Sequence, residues 1–301
     1  MAEVIDFYDL VFVGNTGRNM MHRFDGTTEP ILGGPIFLSA LATSWSDKRV
    51  AVVTRMAEDD TDLLEPLRKA EIDVFVSPAP ETTSGHIFYL SDNVDDRRHT
   101  LEKTAGPFSM ADLPPVKARL FHLVGVNRLE FPLDFMTDLR ERGLAFSIDM
   151  QALIRTADLQ TGAVTYGDYP HKRQVAAMTE KIKLDSVEAE ILTGTADLEQ
   201  AAIQFEEWGT PEVMVTNADG ALVRRGGKTY FERFSNRTVV GRTGRGDTTF
   251  GSYLARRMDC EVAESLKFAV ALASIKMETP GLFTGTMEQV LDRMRADHQV
   301  R

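Results

Sequence analysis

The chain has 301 residues, of which 43% are hydrophobic, and a formal net charge of −11. A chain of this size can bury a large core. Its acidic balance, without clusters of Lys or Arg, argues against nucleic acid or an anionic membrane surface as a partner and favours a small-molecule ligand. Its single cysteine, Cys260, cannot form an internal disulfide, and no apolar run is long enough to span a membrane, so the cytoplasm is the expected compartment.

Apolar runs rich in β-branched residues alternate with segments of helical period along most of the chain. The runs that predict strands are residues 10–13, 50–53, 120–124, 145–148, 181–184 and 213–216. The segments that predict helices are residues 35–44, 61–70, 132–142, 187–192, 197–208 and 248–258. This alternation predicts an α/β fold, with a doubly wound and mostly parallel central sheet flanked by helices, in a single domain over residues 1–301.

Two polar and aromatic segments, residues 14–32 and 84–104, depart from this alternation. Their strand-like composition predicts a small β-sheet outside the main one, which would cover a cleft as a lid. An ordinary pair of edge hairpins explains the same periodicity equally well. Because exposed strand edges invite pairing with another chain, we expect a homodimer through the lid.

A β-branched run, a glycine-rich turn and a predicted helix start follow one another over residues 238–250. Gly244 and Gly246 let the backbone approach an anion closely, and the helix N-terminus offers free amides and the positive end of the helix dipole. Asp247 would repel a phosphate there, so it needs another role: it accepts a proton from an attacking hydroxyl, or it caps the helix. The order of the glycines matches neither a Rossmann nor a Walker loop.

Asp185 and Glu188 lie three residues apart at a predicted junction between a strand and a helix. Ligands of open α/β sheets bind at the carboxyl ends of the strands, so this pair is a candidate for holding Mg²⁺ beside substrate phosphates. A capping box, with Asp185 as N-cap and Glu188 three residues on, explains the pair without a metal.

Taken in order, these motifs resemble those of the ribokinase-like (PfkB) carbohydrate kinase family over essentially the whole chain. The family's C-terminal signature, roughly D-T-T-G-A-G-D, corresponds to residues 241–247, its early Gly-Gly motif to Gly33 and Gly34, and its N-x-x-E motif to residues 185–188. The resemblance implies a doubly wound sheet with a β lid, and transfer of the γ-phosphoryl group of ATP to a hydroxyl with Mg²⁺. The alternatives are a nucleoside kinase of the same fold and a non-catalytic ligand-binding paralogue.

The resemblance also implies roles for single residues. Asp247 would take the proton of the substrate hydroxyl, and the backbone amides of Gly244, Arg245 and Gly246 would form an anion hole. Glu188 would hold Mg²⁺ through water. The positions implied on the nucleotide side are Asp185, Glu188, Thr216, Gly220 and Gly281.

Three positions depart from the family pattern. Gly241 replaces the leading Asp of the signature, which puts in doubt the monovalent-cation site that some members build around that Asp. Arg245 replaces a small residue, and we expect its side chain to point into solvent. Asp185 stands where Asn is usual, and its extra negative charge would favour magnesium.

The acceptor is expected to be a sugar or a polyol. The lysine and asparagine that follow the Gly-Gly motif in ribokinases are missing, whereas residues 147–155 are partially similar to a D-P-Q-G-x-x-R stretch of myo-inositol kinase-like members. Asp149 and Gln151 would equally fit a strand-end turn with solvent-facing polar groups. The candidates for substrate binding are Asn19, Gly33, Gly34, Gln151 and Arg155.

Overall fold

Strands and helices alternate along the computed structural model, which describes residues 6–92 and 96–299. The strands are β1 (Phe7–Val13), β2 (Gly17–His22), β3 (Thr28–Gly33), β4 (Val50–Met56), β5 (Asp73–Pro78), β6 (Thr83–Tyr89), β7 (Arg97–Lys103), β8 (Lys117–Leu123), β9 (Phe146–Asp149), β10 (Arg155–Asp158), β11 (Ala163–Tyr166), β12 (Lys181–Asp185), β13 (Glu212–Thr216), β14 (Gly220–Arg225) and β15 (Lys228–Arg233). The α-helices are α1 (Pro35–Leu41), α2 (Glu65–Lys69), α3 (Leu133–Glu141), α4 (Gln151–Ile154), α5 (Lys172–Met178), α6 (Ser186–Thr193), α7 (Leu198–Glu207), α8 (Arg245–Arg257), α9 (Val262–Met277) and α10 (Met287–Gln299).

The larger sheet has the strand order β15-β14-β13-β12-β9-β8-β1-β4-β5. Its strands from β13 to β5 pair in parallel, and the β13-β14-β15 edge is antiparallel. The predicted α/β class and mostly parallel sheet are confirmed. Because parallel strands end at the same edge, Asp149, Asp185 and Thr216, the last residues of β9, β12 and β13, are brought to that edge together.

Both faces of this sheet are covered by helices, as the alternation of side chains along β1 illustrates. Val11 and Val13 belong to the core on the side of α3, α5, α6 and α7, whereas Leu10 and Phe12 belong to the core on the side of α1, α2, α8 and α9. All four side chains are fully buried, which is why the strand reads as a continuous apolar run rather than as an alternating one.

Six strands form the second sheet, in the order β10-β11-β7-β6-β2-β3. Strands β2, β3, β6 and β7 come from the two segments in which a small sheet was predicted, residues 14–32 and 84–104. The β10-β11 hairpin was not predicted. Of its residues only Arg155 belonged to the stretch interpreted as substrate-binding. The hairpin joins this sheet through the pairing of Ala163 with Thr100 and the hydrogen bond from the Leu101 N–H to the Gly162 carbonyl.

Helix α9 was not predicted from the sequence either. Twelve of its sixteen residues are buried, among them Leu266, Phe268 and Leu272, so it has no polar face to produce a helical period. Among the residues described, no helix is both long and apolar enough to cross a membrane.

Helix α8, which carries Asp247, packs closely on α1 through Gly251. A Cβ atom at Gly251 would overlap the backbone carbonyl oxygen of Ser39. We therefore predict that Gly251→Ala lowers the free energy of unfolding by about 1–3 kcal/mol, because a packed backbone has to move. Urea denaturation followed by circular dichroism measures this loss. Glu141→Ala, at an exposed helical position, is the control and should change stability little; equal stability of both variants would contradict the packing argument.

Candidate active site

A cavity lies between the six-stranded sheet and the carboxyl edge of the main sheet. Of the residues predicted from the sequence, those that line it are Asn19, Gly34, Gln151, Arg155, Gly244 and Asp247. Gly33 precedes Gly34 at the end of β3 and pairs with Gly17, another lining residue. Among the described residues, Asp247 is the only carboxylate in this lining. The predicted acceptor and base positions therefore meet in one cavity.

The turn before α8 has the conformation that its glycines suggested. Gly244 is the N-cap with φ 81° and ψ 13°, a left-handed conformation, and a Cβ there would overlap the side chain of Leu38. No side chain caps the helix, and Asp247 is its third residue. The alternative in which Asp247 serves only as the helix cap is therefore not what the structure contains. Its carboxylate is half-buried and lines the cavity instead.

The first turn of α8 is suited to an anion, because the first amides of a helix have no partner within it. One of the three predicted amides is already engaged, since the Arg245 N–H donates to the Arg242 carbonyl at 3.2 Å. The expectation that the Arg245 side chain points into solvent is wrong. Arg245 is only 7% exposed, and its guanidinium lies 5.4 Å from the centre of the Phe234 ring. The face of the Phe234 ring attracts the guanidinium and so compensates part of the cost of burying its charge.

A buried ammonium lies directly beneath this turn. Lys183 Nζ is 3.0 Å from Asp149 Oδ2 and 3.7 Å from Glu188 Oε2, and all three side chains are almost completely buried. A Cβ on Gly246 would be 3.0 Å from Lys183 Nζ, so the glycine allows the helix to approach the charge. Burial disfavours the charged lysine, but the carboxylates of Asp149 and Glu188 outweigh it and raise the pKa of Lys183. No motif in the sequence had indicated a role for Lys183.

Asp247 titrates in the field of the same cluster. Burial raises its pKa to about 6, the charge of Lys183 opposes that shift, and the negative charge of Asp149 adds to it. Arg155 and Lys276 also lower the pKa. Asp247 is therefore a carboxylate at neutral pH with a higher proton affinity than an exposed aspartate, which is the property a general base needs.

Asp185 and Glu188 form the capping box that was the alternative to a metal site. The Glu188 N–H donates to Asp185 Oδ1 at 2.9 Å, and the Asp185 N–H donates to Glu188 Oε2 at 2.7 Å. Burial raises the pKa of Glu188 to about 8, against the lowering effect of Lys183.

No group of three or more metal-ligating side chains occurs in residues 6–92 and 96–299. Mg²⁺ commonly uses one or two carboxylates together with water and substrate phosphates. The half-buried Asp185 and the buried Glu188 fit that mode and not a complete protein cage. A magnesium role of Glu188, through water, remains a prediction.

Of the other positions implied for the nucleotide side, Thr216 and Gly220 lie at the β13-β14 turn, whereas Gly281 lies elsewhere. Thr216 pairs with Asp185 in the sheet, and its hydroxyl donates to the Leu184 carbonyl at 3.4 Å. Gly220 begins β14 with its N–H donating to Asn217 Oδ1 at 2.9 Å, so it closes the turn that was predicted there. Gly281 lines a second cavity, beside the loop of residues 240–243.

Unsatisfied polar atoms lie in the wall of the main cavity. Arg155 donates from Nη2 to Gln151 Oε1 at 2.6 Å, while its buried Nε has no partner. Asn15, which the sequence analysis did not select, is 1% exposed and donates from Nδ2 to the Gly106 carbonyl at 3.1 Å. Its buried Oδ1 has no partner. Because buried polar groups are normally paired, a free donor and a free acceptor here point to a ligand with hydroxyl groups.

Comparisons with known proteins match the chain to one family. The protein family described as "pfkB family carbohydrate kinase" matches residues 32–289 of this chain. A search of curated proteins found no match. The fold and the matching family are those of a ribokinase-like phosphotransferase that acts on an alcohol group. The chain belongs to the PfkB family of carbohydrate kinases.

Three solved structures describe the likeness further. A pyrophosphate-dependent kinase in the ribokinase family, as a sulfate complex, is 28% identical with a TM-score of 0.86, covering 94% of this chain and 99% of that one. A pyrophosphate-dependent kinase complexed with a pyrophosphate analog and myo-inositol is 28% identical with a TM-score of 0.84, covering 97% and 100%. Arabidopsis thaliana ribokinase, with ribose and ATP, is 19% identical with a TM-score of 0.74, covering 96% and 99%.

The buried ion cluster generates a stability prediction. Lys183→Met leaves the Asp149 carboxylate buried without its cation, while Glu188, whose pKa is already about 8 beside the lysine, becomes neutral. We therefore predict a loss of about 3–5 kcal/mol in the free energy of unfolding near pH 8. The loss should shrink toward pH 5, because a proton taken up by the stranded carboxylate neutralises it.

Urea denaturation at both pH values measures this loss. The double variant Lys183→Met/Asp149→Asn, which removes one stranded charge, is the matched control and should recover part of the stability. A loss that is independent of pH and of Asp149 would contradict the electrostatic account.

Proposed function

We propose that this protein transfers the terminal phosphoryl group of a phosphoanhydride donor to a hydroxyl of a sugar or polyol, with Asp247 as the general base. One observation carries the proposal. Asp247 lies in the first turn of a helix that begins at a glycine in the left-handed conformation, and it faces a cavity whose lining includes the polar side chains of Asn15, Asn19 and Arg155. An anion-binding helix terminus and a base are brought together with room for an acceptor.

The chemistry of the cavity wall supports a polyol as the acceptor. Asn15 offers an unpaired acceptor and Arg155 an unpaired donor, and a hydroxyl can satisfy either. Burial, together with the positive charge of Arg155, lowers the pKa of His99 to about 3, so its imidazole is neutral and can also pair with a hydroxyl. The relative bound to myo-inositol is a further reason to place a cyclic polyol first among acceptors.

Two donors are candidates. ATP with Mg²⁺ is the donor that the sequence motifs imply. Pyrophosphate is the second candidate, because two solved relatives at 28% identity are described as pyrophosphate-dependent. Both donors present the same terminal anhydride to the amides of α8, and Mg²⁺ held near Asp185 and Glu188 would neutralise charge on their phosphates.

The reaction that the side chains support is a single displacement. The Asp247 carboxylate accepts the proton of the acceptor hydroxyl as its oxygen forms a bond to the terminal phosphorus. The anhydride P–O bond breaks, and its electron pair leaves with the bridging oxygen on ADP or on phosphate. Arg155 and Lys183 contribute positive charge near Asp247, and the helix amides hold the transferred group.

A turnover assay tests the proposal and identifies the substrates. Purified protein is incubated with Mg²⁺, with either ATP or pyrophosphate, and with panels of sugars, inositols and nucleosides. We predict a phosphorylated polyol or sugar and a loss of about 10²–10⁴-fold in kcat for Asp247→Asn, which removes the base but preserves the shape. If one compound binds tightly but neither donor supports turnover above background hydrolysis, or if Asp247→Asn keeps the full rate, the proposal is wrong.

The pH dependence gives a second test. Since the pKa of Asp247 is raised to about 6, we predict that kcat/KM falls tenfold per pH unit below about 6, where the base is protonated. Asp247→Asn is measured with the same substrates, so the donor's own titration appears in both profiles. The acid limb that only the wild type shows belongs to Asp247; identical profiles would rule out its role as the titrating base.

The homodimer and the compartment are also proposals. We infer one functional unit, because the cavity takes residues from both sheets, and we propose that it works in the cytoplasm as a dimer joined at the six-stranded sheet. Strand β3 is the edge of that sheet, and Phe24 beside it is 61% exposed. Light scattering should give twice the chain mass for the wild type and a monomer for Phe24→Asp; a monomeric wild type would remove the dimer from the proposal.

A further inference from the structure

The loop of residues 240–243, which leads into the anion-binding turn, is held against the C-terminal end of α9. The N–H groups of Val240 and Gly241 both donate to the Met277 carbonyl at 2.9 Å. A Cβ on Gly241 would overlap the Thr279 carbonyl oxygen. This contact explains in physical terms why the loop carries glycine at a position where the family signature has Asp, because no larger residue fits this backbone.

The carbonyl groups of the same loop converge on an ammonium. Lys276, in the last turn of α9, donates from Nζ to the Gly241 carbonyl at 2.7 Å and also to the Thr243 carbonyl. Its side chain is only 1% exposed. Burying such a charge is costly unless hydrogen bonds and dipoles compensate it, and here two carbonyl oxygens and the negative end of the helix do so.

Lys276 keeps its charge in this setting. Burial lowers its pKa to about 8, the nearby Asp247 acts in the opposite direction, and Arg242 and Arg97 add to the lowering. At neutral pH the group is therefore mainly an ammonium. A buried monocation that is ligated by carbonyl oxygens does electrostatically what a bound potassium or sodium ion would do at the same point.

We propose that the ammonium of Lys276 is a built-in monovalent cation. It fixes the loop of residues 240–243 and thereby positions the amides of Gly244 and Gly246. The enzyme therefore needs no monovalent metal ion at this point. Lys276 is a positioning residue, since it acts through the loop. The kinetic part of this inference rests on the proposed kinase function. The structural part, that one cation already fills this place, does not.

The loop also connects this cation to the lid. The Thr243 hydroxyl lies 2.7 Å from the Tyr89 hydroxyl and accepts from Arg97 Nη1 at 3.2 Å, and both partners come from the six-stranded sheet. Thr243 is thus held by Lys276 through its carbonyl and by the six-stranded sheet through its hydroxyl. A loop without its cation would lose the support of the Thr243 carbonyl and misalign the turn, while the acceptor cavity would be affected only at Thr243 and Gly244.

Kinetics in different salts test the proposal. At equal ionic strength, chlorides of potassium, sodium and N-methyl-D-glucamine should give the wild type the same kcat. Lys276→Met should lower kcat by about 10- to 100-fold, the value of a charged hydrogen bond, with a smaller effect on the acceptor KM. Lys228→Met, at an exposed position, is the matched control. Activation of the wild type by potassium, or full kcat in Lys276→Met, would overturn the proposal.

Lys276→Ala provides a readout that a merely structural lysine would not give. Removing the side chain opens the place between the two carbonyls, so potassium or ammonium should restore part of the lost kcat and raise the melting temperature of this variant, but not of the wild type. If Lys276→Ala folds and recovers with neither ion, the lysine is structural only and the proposal fails.

The melting experiment needs no turnover. It therefore separates a failure of this inference from a failure of the kinase assignment. If Lys276→Ala does not fold, the comparison of salts on the wild type still tests the proposal. A higher melting temperature in potassium than in N-methyl-D-glucamine would mean that Lys276 does not fill the cation site.

Discussion

The arrangement of the site depends on one buried charge, the ammonium of Lys183. It bridges the end of β9, through Asp149, to the capping box that begins α6, through Glu188, and it supports the first turn of α8 beneath Gly246. A strand of the main sheet and one helix from each of its faces thereby meet at one point. Together with the charges of Arg155 and Lys276, the charge of Lys183 lowers the pKa of Asp247 against the effect of burial. Lys183 thus acts both on the packing of these elements and on the proton affinity of Asp247.

Much of the fold could be predicted from local patterns. Continuous apolar strands and amphipathic helices predicted the parallel sheet, because burial on both faces leaves that pattern in sequence. Helix α9 was not predicted, since a helix that is mostly buried has no polar face to mark its period. The β10-β11 hairpin was not predicted, because its strands have only four residues each and pair with β7 at a single position. Both depend on tertiary contacts that no local window contains.

The same division applies to the site. Asp247 and Gly244 could be found because a glycine turn before a helix has a local signature, and both lie where the motif predicted. Asn15 and Lys276 could not, because an unpaired Oδ1 and an ammonium between two carbonyls exist only once distant segments are packed together. The Arg245 side chain was misjudged for the same reason, since the Phe234 ring that buries it belongs to another part of the chain.

The cavity between the two sheets has walls of different origin. Its floor, with Gly244 and Asp247, belongs to the main sheet and its helices, whereas Asn19, His99 and Val164 come from the six-stranded sheet. Under the proposed function, acceptor recognition and phosphoryl chemistry would draw largely on different parts of one chain. Substitutions along β2 and β6 would then alter which hydroxyl compound is held, whereas Arg155, at the start of β10, also acts on the pKa of Asp247. One floor of the cavity could in this way be combined with walls that hold different acceptors.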